Sequence, residues 1–339
     1  MGVNLGDILP RRPVEISDLK GWVLAVDAFN TLYQFISTIR QPDGTPLMDD
    51  RGRITSHLSG LLYRTSSLIE SSIKPLFVFD GRPPIEKEGT VESRRHIREM
   101  AEREWEEAIA EGDTERAARK ARASSRLTSD IIEESKELLR LMGIPVVQAP
   151  SEGEAQAAYM AKKGDANGAV SQDMDSLLFG TPVLIRNLAI SGRRKVPRRN
   201  IYINVSPEII ELDRALEDAG ITREQLVDIA ILVGTDFNRG VRGIGAKTGL
   251  KLIKKHGGLE GVMRAREIEI PNYERLREIF LNPPVNDDYE IIWTLPNADG
   301  IRELLCREHA FSERRVDSAI KRLETHFQAS KQKSLDSWF

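Results

Sequence analysis

The chain of 339 residues contains a single cysteine, Cys306. That excludes an intramolecular disulfide and any zinc site built on cysteine. Its five histidines are scattered, without zinc-ligand spacing. No run of eighteen apolar residues is present and Met1–Pro10 lacks a signal-peptide pattern, so an intracellular protein with no membrane span is expected. An excess of one charge is missing too. The net charge of −3 gives no hint of a polyanionic partner, which has to be read from local clusters instead. With 30% charged and 40% hydrophobic residues, the balance is that of a globular chain. The length suits one large domain or two modest ones.

Several apolar runs end in an acid. Gly21-Trp-Val-Leu-Ala-Val-Asp27 reads as a strand, followed by a helix from Ala28 to about Arg40. After a Gln41–Pro46 loop and a helical stretch from Thr55, Lys74-Pro-Leu-Phe-Val-Phe-Asp80 repeats the signal. Strand character returns at Gly143–Ala149 and at Gly168-Ala-Val-Ser-Gln-Asp173. Alternating strands and helices predict an α/β fold around a mostly parallel sheet with right-handed crossovers. Ser191–Asn200 looks like a basic hairpin joining the β-rich runs Val183–Leu188 and Ile201–Val205. Between Arg82 and about Leu127 lies a charged helical segment with eleven basic and eleven acidic side chains, too polar for central core. It is either a solvated excursion held by i, i+4 pairs or an arch over a site.

Two acidic doublets stand about twenty residues apart: Glu152 with Glu154, and Asp173 with Asp175. Ser151-Glu-Gly-Glu154 also fits a capping box, and Asp173/Asp175 a turn. Taken with Asp27, Asp80 and Asp236, however, the acids follow strand or helix ends, and an open α/β sheet binds ligands beyond the carboxyl ends of its strands. Seven converging acids would repel unless cations neutralised them. An all-oxygen set suits two Mg²⁺ ions, with Mn²⁺ able to substitute, and such a pair supports hydrolysis of a phosphodiester. A polyanion grip appears in Asn238–His256, with six basic residues and no acid. There Gly243-Ile-Gly245 opens a helix and offers backbone N–H groups to a phosphate. The alternative is a tight turn between helices.

These motifs, in this order, resemble the flap endonuclease family in its archaeal form. The residues that carry the likeness are Val26-Asp27-Ala, Thr55-Ser-His-Leu, Phe79-Asp80-Gly-Arg-Pro-Pro, Pro150-Ser-Glu-Gly-Glu-Ala, Gln172-Asp-Met-Asp-Ser, Gly234-Thr-Asp236 and Arg242-Gly-Ile-Gly. The resemblance implies a PIN-like nuclease core with a helical arch and a helix-two-turn-helix module. It implies Mg²⁺-dependent incision of 5′ flaps and 5′–3′ exonuclease action, in Okazaki-fragment maturation and long-patch base excision repair. By the same resemblance Asp27, Asp80, Glu152 and Glu154 hold mainly one metal, and Asp173, Asp175 and Asp236 the second. Lys87 and Arg94 match the basic pair at the scissile phosphate, and Tyr33 the aromatic on which a junction base stacks. Arg40, Arg64, Glu152, Gly234 and Asp236 match DNA contacts. Arg242, Gly243, Gly245, Lys247 and Lys251 match the family's duplex-binding module, and Gly240–Lys247 its turn that also holds K⁺. The arch, with Glu86, Glu88, Glu99, Glu102 and Glu104, is less basic than the family suggests.

The implied layout is a nuclease region over 1–98, an arch segment over 99–115, an internal nuclease region over 116–258, helices over 259–329 and a tail over 330–339. Helices from Glu260 to Phe327 are broken at Pro283-Pro284, and a polar, flexible stretch from Gln328 leads to the end. A Trp-Phe pair there invites a partner pocket. Gln332, Leu335, Trp338 and Phe339 are similar to a sliding-clamp (PCNA) binding box, which implies a clamp-tethered monomer in an archaeal cytoplasm. Three rivals remain: a relative acting on repair bubbles or duplex ends, an RNA-cleaving PIN nuclease, and a non-catalytic scaffold at DNA junctions.

Overall fold

The computed structural model describes residues 2–41, 44–113, 116, 120, 126–190, 192–195 and 202–336. Strands β1 (Arg12–Pro13), β2 (Val23–Asp27), β3 (Lys74–Phe79), β4 (Val146–Gln148), β5 (Gly168–Val170) and β6 (Val183–Arg186) precede a small ribbon of β7 (Gly192–Lys195) and β8 (Tyr202–Val205), and β9 (Glu208–Glu211) follows. The main sheet runs β1-β9-β6-β5-β2-β3-β4. Its five strands β2 to β6 are mutually parallel, while β9 and β1 add antiparallel pairings at one edge. The α/β expectation holds. The chain winds from β2 outward through β3 to β4, crosses back to β5, and continues to β6. The direction of winding therefore reverses between β2 and β5, which opens a crevice at their carboxyl ends.

Period-two alternation sorts the central strands onto two faces. Leu24, Val26, Phe77 and Phe79 pack on one side. There they meet α1 (Ala28–Thr38), the bent helical run of α2 (Ser56–Gly60), a π-helical turn (Leu61–Thr65) and α3 (Ser66–Glu70). The charged helix α4 (Glu88–Ala110) leaves the sheet, and α5 (Ser129–Leu141) returns to this face. The opposite face carries Ala25, Leu76, Val78 and Ala169, small enough to admit the alanine-rich α6 (Gly153–Lys163). The turn of helix α7 (Asp175–Leu178) follows β5, and α8 (Leu212–Ala219) follows β9. Helices α9 (Arg223–Val233), α10 (Ala246–His256), α11 (Leu259–Arg266) and α12 (Tyr273–Leu281) form the module that carries the basic stretch. Asp228 of α9 ties it together, taking both Arg277 (2.6 Å) and the Leu259 amide (2.9 Å). Last come α13 (Ala298–Arg302) and α14 (Glu313–Asp336).

Three local expectations need correction. The Val183 run does not flank the hairpin: it pairs with Glu208–Glu211 in the main sheet, while the ribbon pairs 192–195 with 202–205. Residues 282–297 are an extended strap rather than a brief break between helices. Its alternate side chains Tyr289, Ile291 and Trp293 pack against the alanine face that also carries α6, and the Trp293 indole donates to the Pro75 carbonyl (2.9 Å). Finally, α14 runs through the stretch expected to be flexible, because Gln, Ala and Lys are good helix formers and no Gly or Pro stops them. Trp338 and Phe339 lie outside the described residues, as do the side chains of Gln332 and Leu335. No described helix is long and apolar enough to cross a membrane.

Candidate active site

Asp27 and Asp80, at the carboxyl ends of β2 and β3, are anchored by backbone. Asp27 is both the last residue of β2 and the N-cap of α1, its Oδ1 accepting the Asn30 N–H (3.0 Å). Asp80 follows β3 and accepts the Gly153 N–H at 2.8 Å. A Cβ at Gly153 would stand 2.5 Å from that carboxylate oxygen, so glycine between the two glutamates is what lets the start of α6 reach Asp80. The N-cap of α6 is Glu152, not Ser151, and the capping box does not form. Instead Glu154 accepts from the Ser176 hydroxyl (2.7 Å), and Glu152 faces Lys87 Nζ at 2.5 Å.

Asp175 opens α7 and accepts the Val3 N–H at 2.8 Å, while a Cβ at Gly2 would lie 2.5 Å from its oxygen. Asp173 receives Asn30 Nδ2 (3.3 Å), and its own N–H donates to the Ser171 hydroxyl (3.1 Å). Asp236 lies beyond α9, 3.9 Å from Lys87 Nζ. All seven predicted acids therefore meet in one place.

Their titration shows the strain of that meeting. Burial first, then the neighbouring Asp80 and Asp173, push Asp27 up to about 8. Burial and Glu152 lift Asp80 to about 6, against the pull of Lys87. Asp175 rises to about 7, by burial and then by Asp236 and Asp173, despite the Val3 hydrogen bond. Glu154 is raised well above the carboxylate range by burial and by Asp27, Asp173 and Asp175. Burial also disfavours the Lys87 ammonium, but Glu152, Asp80 and Asp236 outweigh it and keep Lys87 charged above its usual range. Among the described residues Lys87, with Arg186 near Asp173, is too little positive charge to neutralise seven acids. The cluster calls for further positive charge, and oxygen is its only donor, which fits a hard divalent cation. Among the described residues no three acids or histidines stand in a ready-made ion cage, so ligand side chains would have to draw in around an ion.

Around this centre lie the other predicted residues. Lys87 ends a short 3₁₀ turn (Ile85–Lys87). Arg94 sits on α4, its side chain outside the described residues. Tyr33 is half-buried on α1, one turn from Asn30, and the Arg98 guanidinium lies over its ring at 5.5 Å. Arg40 closes the end of α1 through the Ser37 (3.2 Å) and Gly44 (2.8 Å) carbonyls. Arg64 is exposed on the π-helical turn. Several arch glutamates are spent on internal pairs: Glu99 with Arg95, Glu102 with Arg126, Glu104 with Lys120 and Glu107 with Arg116. That accounts for an arch richer in acid than expected.

The basic module is built around a tight loop. Gly234 (φ 106°) ends α9 and Gly240 (φ 66°) comes so close that a Cβ there would lie 2.4 Å from the Gly234 nitrogen. Asn238 staples the loop through the Ile231 carbonyl (2.8 Å) and the Thr235 hydroxyl (2.8 Å). Arg242, Gly243 and Gly245 are exposed, and a Cβ at either glycine would meet nothing within 4 Å. Lys247, Lys251 and Lys254 of α10, with Arg11, line an open cleft of about 730 Å³.

Sequence reasoning missed Asn30, Ser171, Ser176 and the Gly2–Val3 backbone. Only Asn30, three residues after Asp27, left a trace, as a capping partner.

Two family models match the chain, the XPG N-terminal domain over residues 2–101 and the XPG I-region over residues 143–236. Flap endonuclease 1 of Methanosarcina acetivorans is 52% identical over 339 residues, covering the whole of both chains. Among solved structures, flap endonuclease-1 from Methanococcus jannaschii superposes with a TM-score of 0.78 at 43% identity, over 97% of this chain and 100% of that one. The catalytic core of Rad2 in complex with DNA substrate is alike in fold, with a TM-score of 0.70 at 22% identity over 94% of this chain and 97% of that one.

Proposed function

The chain belongs to the flap endonuclease family and is a structure-specific nuclease for 5′ flaps; we propose that its seven clustered acids hold two Mg²⁺ ions for the hydrolysis, with Mn²⁺ able to substitute. The observation that carries this reading is the set of buried, mutually repelling carboxyls at the winding reversal of the sheet, with Lys87 as counter-charge. Asp27, Asp80, Glu152 and Glu154 would hold mainly one ion, and Asp173, Asp175 and Asp236 the other. Bound there, the ions supply a water of lowered pKa and charge for the leaving oxygen.

The chain's own groups do the rest. Lys87 stays cationic against Glu152 and is placed to turn to the scissile phosphate as charge develops on it, with Arg94 on the next turns of α4 as its partner. Tyr33 offers a ring face one helical turn from Asn30 on which a base at the junction stacks. Arg40 and Arg64 take up contacts to the DNA, as do Glu152, Gly234 and Asp236 at the site itself. The exposed turn Gly240–Lys247, with Lys251, grips the duplex through amide N–H groups and lysines, without reading sequence, and can seat a K⁺ ion. The proposed layout has nuclease regions over 1–98 and 116–258, an arch over 99–115, helices over 259–329 and a clamp tail over 330–339. The tail residues Gln332, Leu335, Trp338 and Phe339 would join a monomer to the sliding clamp.

The direct test is cleavage of an end-labelled 5′ flap beside a single strand and a blunt duplex of equal length, with Mg²⁺ and with EDTA. Mg²⁺-dependent cutting confined to the flap junction, abolished in Asp173→Ala while the flap stays bound, is expected. Turnover surviving EDTA or that substitution would overturn the metal assignment.

A further inference from the structure

Asn30 stands between β2 and β5, where the winding of the sheet reverses, and it hydrogen-bonds to the ends of both. Its backbone N–H donates to Asp27 Oδ1 at 3.0 Å. Its side-chain oxygen accepts the Gln172 N–H, and its Nδ2 donates to Asp173 Oδ2, each at 3.3 Å. The partners themselves settle which way the amide points. A backbone N–H can only donate, so the oxygen must face Gln172, which leaves the NH₂ for the carboxylate.

Ser171 closes the circuit. Its buried hydroxyl donates to Asp27 Oδ2 at 3.2 Å and accepts the Asp173 N–H at 3.1 Å. Two uncharged residues thus brace both acids, one from each side of the crevice. Charge type matters here. A lysine or arginine in the same place would neutralise an acid and compete with a bound cation, whereas an amide and a hydroxyl fix the carboxylates and leave their charge available. A brace is needed, because Asp27 and Asp173 repel and each would otherwise rotate away from the other.

We infer that Asn30, together with Ser171, is a positioning pair that sets the separation and orientation of Asp27 and Asp173, and through them the spacing of the two metal ions. This inference rests on the metal reading of the preceding subsection. Outer partners of metal ligands of this kind are worth on the order of 10–100-fold in metal affinity or activity.

The test is Mn²⁺ titration of the full chain followed by electron paramagnetic resonance, for the parent, Asn30→Ala, Ser171→Ala, the double variant and Asp173→Ala. Asn30→Ala is expected to weaken Mn²⁺ binding about tenfold or more, and to raise by a similar factor the Mg²⁺ concentration that half-saturates cleavage. Flap affinity in Ca²⁺ and the melting temperature in EDTA should stay at the parent values. Ser171→Ala should do the same, and the double variant should lose little beyond the larger single effect, since both act through one circuit. Parent-like Mn²⁺ binding in Asn30→Ala would overturn the inference, and so would a weakening matched by lower melting and poorer DNA binding. If Asn30→Ala fails to fold, Ser171→Ala decides by the same criteria. If Asp173→Ala binds Mn²⁺ as the parent does, the metal reading itself fails and the positioning role falls with it.

Discussion

Gly153 and Asp80 are in contact through the space that a side chain would fill. The amide of Gly153 donates to Asp80 Oδ1 at 2.8 Å, and a Cβ would stand 2.5 Å from the same oxygen. Gly153→Ala should therefore displace Asp80 or the start of α6. A shift of about 1 Å at a catalytic group costs roughly a hundredfold in rate, so single-turnover flap cleavage should fall by at least about tenfold, with flap binding retained. A parental rate would show that the contact does not set the position of Asp80.

The raised carboxyls carry a stability signature with a definite sign. Asp80, Asp175 and Asp27 titrate at about 6, 7 and 8 in the folded chain, all above the usual carboxylate range near 4. The folded state thus binds more protons than the unfolded state between those limits, and stability falls as pH rises through them. In EDTA the melting temperature should drop from about pH 5 to 8. Because a divalent ion takes the place of the departed protons, the Mg²⁺-induced rise in melting temperature should grow over the same window. A melting temperature flat with pH in EDTA would argue that the acids are already neutralised within the chain.

Lys247 and Lys251 flank the open cleft beside the exposed Gly243–Gly245 turn. Replacing both with alanine should weaken duplex binding and reduce the slope of log affinity against log salt by about 2, one for each phosphate that a lysine no longer neutralises. Fluorescence anisotropy across a salt series measures it. An unchanged slope would place the duplex elsewhere.

Removal of residues 332–339 should abolish stimulation of flap cleavage by a sliding clamp, read as the ratio of rates with and without clamp. Undiminished stimulation would mean that the clamp is engaged by another surface.

Much of the site was legible because strand geometry is local. A strand alternates its side chains, so an apolar run that ends in Asp27 or Asp80 announces both its burial and the edge where its acid emerges. Composition narrowed the donor chemistry in the same way: with one cysteine and scattered histidines, a cluster of this kind could offer only carboxylate oxygens. The glycine-rich turn before α10 and the lysines behind it form a contiguous signal for the same reason.

What the chain could not disclose in advance is what joins distant segments. The capping box at Ser151 was a fair local expectation, but α6 starts one residue later because Asp80, 73 residues back, takes the Gly153 amide. The strap over the alanine face, the true partner of β6 and the Val3 contact to Asp175 all depend on which surfaces meet. Asn30 illustrates the division most clearly. The sequence by itself determined that Asp27 would end a strand, with an asparagine three residues into the following helix. Only the tertiary structure decided that β5 would lie alongside β2, so that the same asparagine reaches Asp173, because hydrogen bonds between segments far apart in the chain exist only once the sheet order is set.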